Sequence, residues 1–82
     1  MTKKIINQPV QVSAVTFDRY FEPMPRRIEF EGRTLTFISS GIRMLVTSNG
    51  RITRLWDMFD GEAEYRLRHD DSSAWTLVTI SR

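Results

Sequence analysis

The stretch "RRIEFEGRTLTF", residues 26–37, contains two segments of alternating polar and apolar residues, separated by Glu31-Gly32. A two-residue turn at this position pairs Ile28 with Leu35. The large apolar side chains then share one face, because side chains alternate between the two faces of a strand. These side chains are Ile28, Phe30, Leu35 and Phe37. The stretch therefore predicts a β-hairpin with one face in a core.

A second hairpin is predicted around Asn49-Gly50, in the stretch "IRMLVTSNGRITRLW". A two-residue turn there pairs Val46 with Thr53, which puts Val46 and Ile52 on opposite faces. A three-residue loop with a left-handed Gly50 pairs Val46 with Ile52 instead, and it gathers the large apolar side chains on one face. We favour the three-residue loop for that reason.

A third hairpin, with its turn at Asp60-Gly61, is predicted from "RLWDMFDGEAEYRL". This turn pairs Trp56 with Tyr65. It also divides the strand that follows into two faces, with Tyr65 and Leu67 inside and Arg66 and Arg68 outside.

The return strand at Trp75 has two possible registers. A four-residue loop over residues 70–73 puts Trp75 on the outer face, beside Arg66 and Arg68. One more residue in the loop puts Trp75 inside, and we favour this position because burying tryptophan gains more apolar area. The outer position would create a surface of arginine and tryptophan, held by cation–π contacts and able to bind a partner.

Residues 1–25 contain one clear strand, "PVQVSAV" at residues 9–15, with Pro9 suited to an edge or to a strand start. Pro23 and Pro25 oppose regular pairing in the connection that follows. Three aromatic residues of that connection are candidates to close one end of a barrel: Phe17, Tyr20 and Phe21.

These segments predict a single small all-β domain over residues 1–82. We expect about six antiparallel strands in meander order, forming an SH3-like barrel or roll. An open sheet that buries its face in a dimer is the alternative. The predicted core contains Ile28, Phe30, Leu35, Phe37, Val46, Ile52, Trp56, Tyr65 and Leu67.

The composition narrows the possible functions. The 82 residues include no cysteine, which excludes disulfides and thiolate metal sites. Twelve basic and ten acidic residues give a net charge of +2, too small an excess to predict a polyanion-binding surface by itself. Neither a signal peptide nor a membrane span is visible, so we expect a cytoplasmic protein without a membrane partner.

Residues suited to catalysis or metal binding are sparse. His69 is the single histidine, and it precedes Asp70 and Asp71. In a tight loop, these carboxylates favour hydrogen bonds to the local backbone over metal binding. We therefore expect no catalytic residue, no metal and no cofactor.

Arginine dominates the basic residues, and it suits phosphate and base contacts. Small barrels bind single strands through faces that combine cations with aromatic side chains. Acidic residues interleave with these arginines, however, which is more typical of a solvated face with cross-strand pairs. The main hypothesis is a noncatalytic protein-interaction or self-association module, with nucleic-acid binding as the alternative. The best candidates for partner contact are Arg66, Arg68 and Trp75.

Three motifs of the chain resemble a group of small β domains of unknown function that is known mainly from actinobacteria. They are "PVQV" at residues 9–12, "PRRIEFEGRTLTF" at residues 25–37 and "YRLRHDDSSAWTLVTI" at residues 65–80. Where that group usually has tryptophan before Arg-Gly-Arg, this chain has Phe30 and Glu31. Similar segments occur beside or within bacterial proteins that resemble translesion polymerases, so the resemblance implies DNA metabolism by association.

Overall fold

The computed structural model describes residues 2–70 and 74–82, without the side chain of Ile42. The strands are β1 Lys3–Phe17, β2 Pro23–Phe30, β3 Arg33–Thr36, β4 Ser39–Ser48, β5 Arg51–Phe59, β6 Glu64–His69 and β7 Trp75–Ser81. They form one antiparallel sheet in the order β3-β2-β1-β7-β6-β5-β4, curled into a half-barrel. The described part of the chain contains no helix, and so none that could cross a membrane. The all-β prediction is confirmed.

The predicted number of strands is wrong because β1 serves as two. Its first half pairs with β7 as far as Val10, and its second half pairs with β2 from Gln11 onward. The wall of the half-barrel therefore has eight strand segments instead of six. Pro9 lies inside β1, where we expected an edge or a strand start. It is tolerated there because pairing with β2 begins only at Gln11, which leaves one side of β1 without a partner strand.

The strand order is that of a meander whose first and last strands, β1 and β7, pair with each other. The free edges of the sheet are consequently β3 and β4, which follow each other in the chain. The Phe37 N–H donates to the Arg26 carbonyl at 2.9 Å, and the Ile38 N–H donates to the Phe59 carbonyl at 2.8 Å. Consecutive residues of the β3–β4 connection therefore bond to β2 and to β5, which brings these two strands near each other at one end of the half-barrel.

The first predicted hairpin is confirmed, since Ile28 pairs with Leu35 in β2 and β3. The third hairpin has a longer loop than predicted, and Trp56 pairs with Leu67 instead of Tyr65. Because the register moves by two residues, each side chain keeps its predicted face. Tyr65 and Leu67 are buried, and Arg66 lies on the outer face of β6.

The second hairpin has the register of the two-residue turn. Val46 lies opposite Thr53, so the turn consists of two residues and the predicted three-residue loop is wrong. Asn49 and Gly50 have φ angles of 52° and 76°, as a type I′ turn requires. The left-handed conformation predicted for Gly50 is thus confirmed. Val46 and Ile52 lie on opposite faces, and each is 44% exposed.

The core lies between β2–β3 on one side and β5–β7 on the other. Its buried apolar residues are Ile28, Leu35, Phe37, Trp56, Met58, Ala63, Tyr65, Leu67 and Leu77. The rings of Phe37 and Tyr65 join the two sides, with centroids 5.3 Å apart. The predicted core is confirmed except for Val46 and Ile52, which are exposed, and Phe30, which is partly buried against it.

Candidate functional site

Arg66 is the first of the three predicted contact residues, and it is paired with a carboxylate. It lies on the outer face of β6, opposite Asp57 of β5. Its Nε and Nη2 donate to the two carboxylate oxygens of Asp57 at 2.8 and 3.1 Å. These hydrogen bonds raise the pKa of Arg66, although burial opposes the shift. A guanidinium held at two points is poorly available to a partner.

Arg68 and Trp75 lie on opposite faces of the sheet. Arg68 is on the outer face, across from Leu55 and Thr76. Trp75 pairs with His69, so the loop is one residue longer than the four-residue alternative and the Trp75 side chain lies inside. Residues 71–73 of that loop lie outside the described residues. The structure therefore does not bring Arg66, Arg68 and Trp75 together, and their contact with a partner stays a prediction.

The inner face near Trp75 holds a stacked aromatic pair. The imidazole of His69 and the Trp75 ring are parallel, with an interplanar angle of 2° and centroids 4.2 Å apart. Burial and the charge of Arg54 lower the pKa of His69, while the charges of Asp70 and Glu22 act in the opposite direction. The surroundings of His69 therefore favour its neutral imidazole.

The connection between β1 and β2, residues 18–22, is ordered by one carboxylate. Asp18 accepts the backbone N–H groups of Tyr20 at 2.8 Å and of Glu22 at 3.0 Å. Phe21, between these two residues, has a φ of 61° and is 84% exposed. Aspartate at the start of such a turn is favoured for this local hydrogen bonding.

Acidic side chains of this connection attach it to the inner face of the sheet. Arg54 Nε lies 2.9 Å from Glu22 Oε2, in an ion pair without a linear hydrogen bond. Arg43 Nη1 lies 3.6 Å from Asp18 Oδ2, and its guanidinium is 5.5 Å from the centre of the Tyr20 ring. The expected closure by aromatic side chains is therefore wrong, because ion pairs make the attachment. The aromatic side chains remain exposed: Phe17, Tyr20 and Phe21.

The free edge of β4 is a surface open to a protein partner. β4 has ten residues, and β5 is the only described strand with which it has extensive contact. Leu45, on the inner face, is 55% exposed, and Val46, on the outer face, is 44% exposed. Arg43 is the single charged residue of β4, which also contains no proline. Charged residues and proline are the usual means by which an edge strand is protected from pairing with another chain.

The other free edge, β3, is better protected against pairing with another chain. It has four residues, and Leu35 is its only buried one. Its remaining side chains are polar, and short polar edges resist pairing with another chain. The two edges of the half-barrel thus differ in length and in chemistry, and β4 is the candidate site.

The turn residues of the β4–β5 hairpin are a sequence signal for this site. Asn49-Gly50 is the residue pair most typical of a two-residue type I′ turn. That turn by itself places Val46 and Ile52 on opposite faces, so they cannot both lie in one core. Apolar clustering alone favours the three-residue loop and places both residues in the core, whereas the turn chemistry of Asn49-Gly50 predicts the observed register.

Comparisons with family models, with curated proteins and with solved structures find no match for the chain. The resemblance to the small actinobacterial β domains stays a hypothesis.

Proposed function

We propose that the chain is a noncatalytic self-association module, in which the β4 edges of two copies pair with each other. The observation that carries the proposal is the ten-residue open edge with exposed apolar side chains on both faces. An edge of this kind is a template for an added strand, whose backbone supplies hydrogen bonds while its side chains supply specificity.

The hairpin turn determines which backbone groups of β4 are free. Ser48 and Arg51 flank the two-residue turn and therefore exchange both of their hydrogen bonds. Hydrogen-bonded pairs alternate along an antiparallel ladder. The backbone N–H and C=O groups of Arg43, Leu45 and Thr47 consequently point away from β5, toward a possible partner.

This pattern supports one symmetric register. Two antiparallel β4 strands form hydrogen bonds through these groups when Leu45 lies opposite Leu45 of the second copy, on a two-fold axis. Arg43 then lies opposite Thr47, so no like charges face each other. Met44 lies opposite Val46, which places apolar side chains together on the outer face. The same patch thus serves both copies, as a two-fold interface requires.

Sedimentation velocity over a range of protein concentrations tests this proposal. We expect the parent chain to dimerise as its concentration rises, and Leu45→Lys and Val46→Lys to remain monomeric, because a charge on each face opposes pairing. Ile5→Lys is the matched control, because Ile5 is 73% exposed but belongs to the central strand β1. A parent chain that is monomeric at every concentration, or lysine variants that dimerise as the parent does, would overturn the proposal.

Nucleic-acid binding has less support as a function. Three of the arginines that suggested it, Arg43, Arg54 and Arg66, each lie within 4.0 Å of a carboxylate oxygen. Charges neutralised in this way release few counterions from a phosphate backbone. The proposal keeps two expectations from the sequence, which are an SH3-like type of barrel and a cytoplasmic location.

A further inference from the structure

A cavity of about 370 Å³ lies at the end of the half-barrel where β1 begins and β7 ends. Its volume falls within the range of small-molecule sites. The apolar part of its lining consists of Ile6, Phe30, Leu35, Tyr65 and Ile80. The polar part consists of Thr2, Lys4, Glu31, Arg33 and Arg82. None of these residues belongs to β4, so the cavity is separate from the proposed dimer edge.

The charges around the cavity are mostly positive. The charged side chains of the lining are three cations, Lys4, Arg33 and Arg82, and one carboxylate, that of Glu31. Within the described residues, no ion pair holds any of these three cations. The three cations remain available to an anion that enters the cavity, in contrast to the paired arginines elsewhere on the sheet.

Tyr65 forms a fixed part of the wall. Its hydroxyl donates to Asp60 Oδ2 at 2.8 Å, so its proton is not available to a ligand. Burial and this hydrogen bond raise the pKa of Tyr65 to about 12, although the nearby charges of Arg82 and Arg33 oppose the shift. The negative charge of Asp60, which accepts this hydrogen bond, lies near enough to Arg82 to offset part of its positive charge. Recognition of an anion therefore falls to the three cations of the lining.

We infer that this cavity binds a small amphipathic carboxylate, a short hydrocarbon body that carries one negative charge. The carboxylate lies among Lys4, Arg33 and Arg82, and the hydrocarbon lies against Phe30 and Ile80. Charge-assisted hydrogen bonds to the cations orient the ligand. Burial of the hydrocarbon against the apolar lining supplies the remaining affinity.

Titration of the ¹⁵N-labelled chain with octanoate, followed by NMR, tests the inference. We expect octanoate to shift the amide signals of the cavity lining. Octan-1-ol, which lacks the charge, and inorganic phosphate, which lacks the hydrocarbon, should each bind at least tenfold more weakly. Octylammonium, with the opposite charge, should bind more weakly than octan-1-ol, because the cations repel it.

Two double variants distinguish octanoate binding in the cavity from nonspecific attraction to surface charge. Lys4→Gln with Arg33→Gln should weaken octanoate binding at least tenfold and leave octan-1-ol binding unchanged, which also shows that the cavity is intact. Arg26→Gln with Arg51→Gln removes the same charge from exposed positions outside the cavity and should leave octanoate binding unchanged. The inference is overturned if octanoate leaves the lining unshifted, binds no more tightly than octan-1-ol or phosphate, or keeps its affinity in the first double variant.

Discussion

His69 lies on the inner face of the sheet, between the charge of Arg54 and the ring of Trp75. Arg54 is its cross-strand partner on β5, and Trp75 is its partner on β7. Its Nδ1 atom is buried and has no hydrogen-bond partner among the described residues. The site therefore favours the neutral imidazole, which stacks on Trp75 without adding a charge next to Arg54.

We expect His69 to make stability depend on pH near neutrality. The pKa of His69 is lowered from 6.5, so as the pH falls the unfolded chain takes up a proton before the folded chain does. The contribution of neutral His69 to folding stability is fully present above about pH 6.5. It is lost as the pH falls toward the lowered pKa of His69 in the folded state. Thermal melts between about pH 5 and pH 7 should show a drop in Tm at the acid end that His69→Gln reduces. An equal drop in both proteins would contradict this prediction.

The elements of this fold are controlled by their turns. In the β4–β5 hairpin, the left-handed pair Asn49-Gly50 determines which faces Leu45 and Val46 occupy. In the β5–β6 hairpin, Asp60 accepts the backbone N–H groups of Glu62 and Ala63, at 2.8 Å each, and so closes a longer loop. Turn chemistry thus decides register, and register decides which residues are free to meet a partner.

The turn at Gly50 provides a direct test at the scale of one hairpin. Gly50 has a φ of 76°, and a side chain added there would meet no atom within 4 Å. Any cost of substitution therefore comes from the backbone conformation. Gly50→Val should lower the free energy of unfolding by about 1–3 kcal/mol, whereas Gly50→Asn should cost less because asparagine tolerates this conformation. Urea denaturation measures the free energy of unfolding of both variants. If Gly50→Val and Gly50→Asn are equally stable, the turn does not require a residue that tolerates the left-handed conformation.

At the scale of the whole molecule, one small core holds the two sides of the half-barrel together. Leu35 on β3 and Tyr65 on β6 both belong to it, although they lie far apart in the sheet order. A chain of 82 residues buries a limited share of its surface, so each core side chain matters for global stability.

Leu35→Ala should lower the free energy of unfolding by roughly 2–4 kcal/mol, because it removes apolar contacts and leaves a cavity. In a domain with roughly 5 kcal/mol of total stability, this loss unfolds a substantial part of the population at raised temperature. Thr36→Ala is the control, since Thr36 is the exposed neighbour on the same strand and should change stability by less than about 0.5 kcal/mol. Calorimetry measures both variants. A Leu35→Ala variant that melts with the parent would show that β3 does not contribute to the core.

The sequence by itself determined the all-β class and the inner faces of most hairpins. The alternation of polar and apolar residues in β2, β3 and β6 is a local property of each strand. Ile28, Leu35 and Tyr65 could therefore be assigned to the core without knowledge of the neighbouring strands. The β4 edge could not be assigned in this way. It is an edge only because β1 pairs with β7 and the sheet opens between β3 and β4.

The tertiary structure alone decided the environment of the residues proposed for function. Trp75 lies inside because of the length of the loop after His69, and Arg66 is neutralised by Asp57 because β5 and β6 pair in one particular register. Lys4, Arg33 and Arg82 are distant in sequence, and only the pairing of β1 with β7 beside the β2–β3 turn brings them around one cavity. Side-chain alternation is encoded residue by residue, whereas these neighbourhoods depend on closure of the sheet, which is a property of the whole chain.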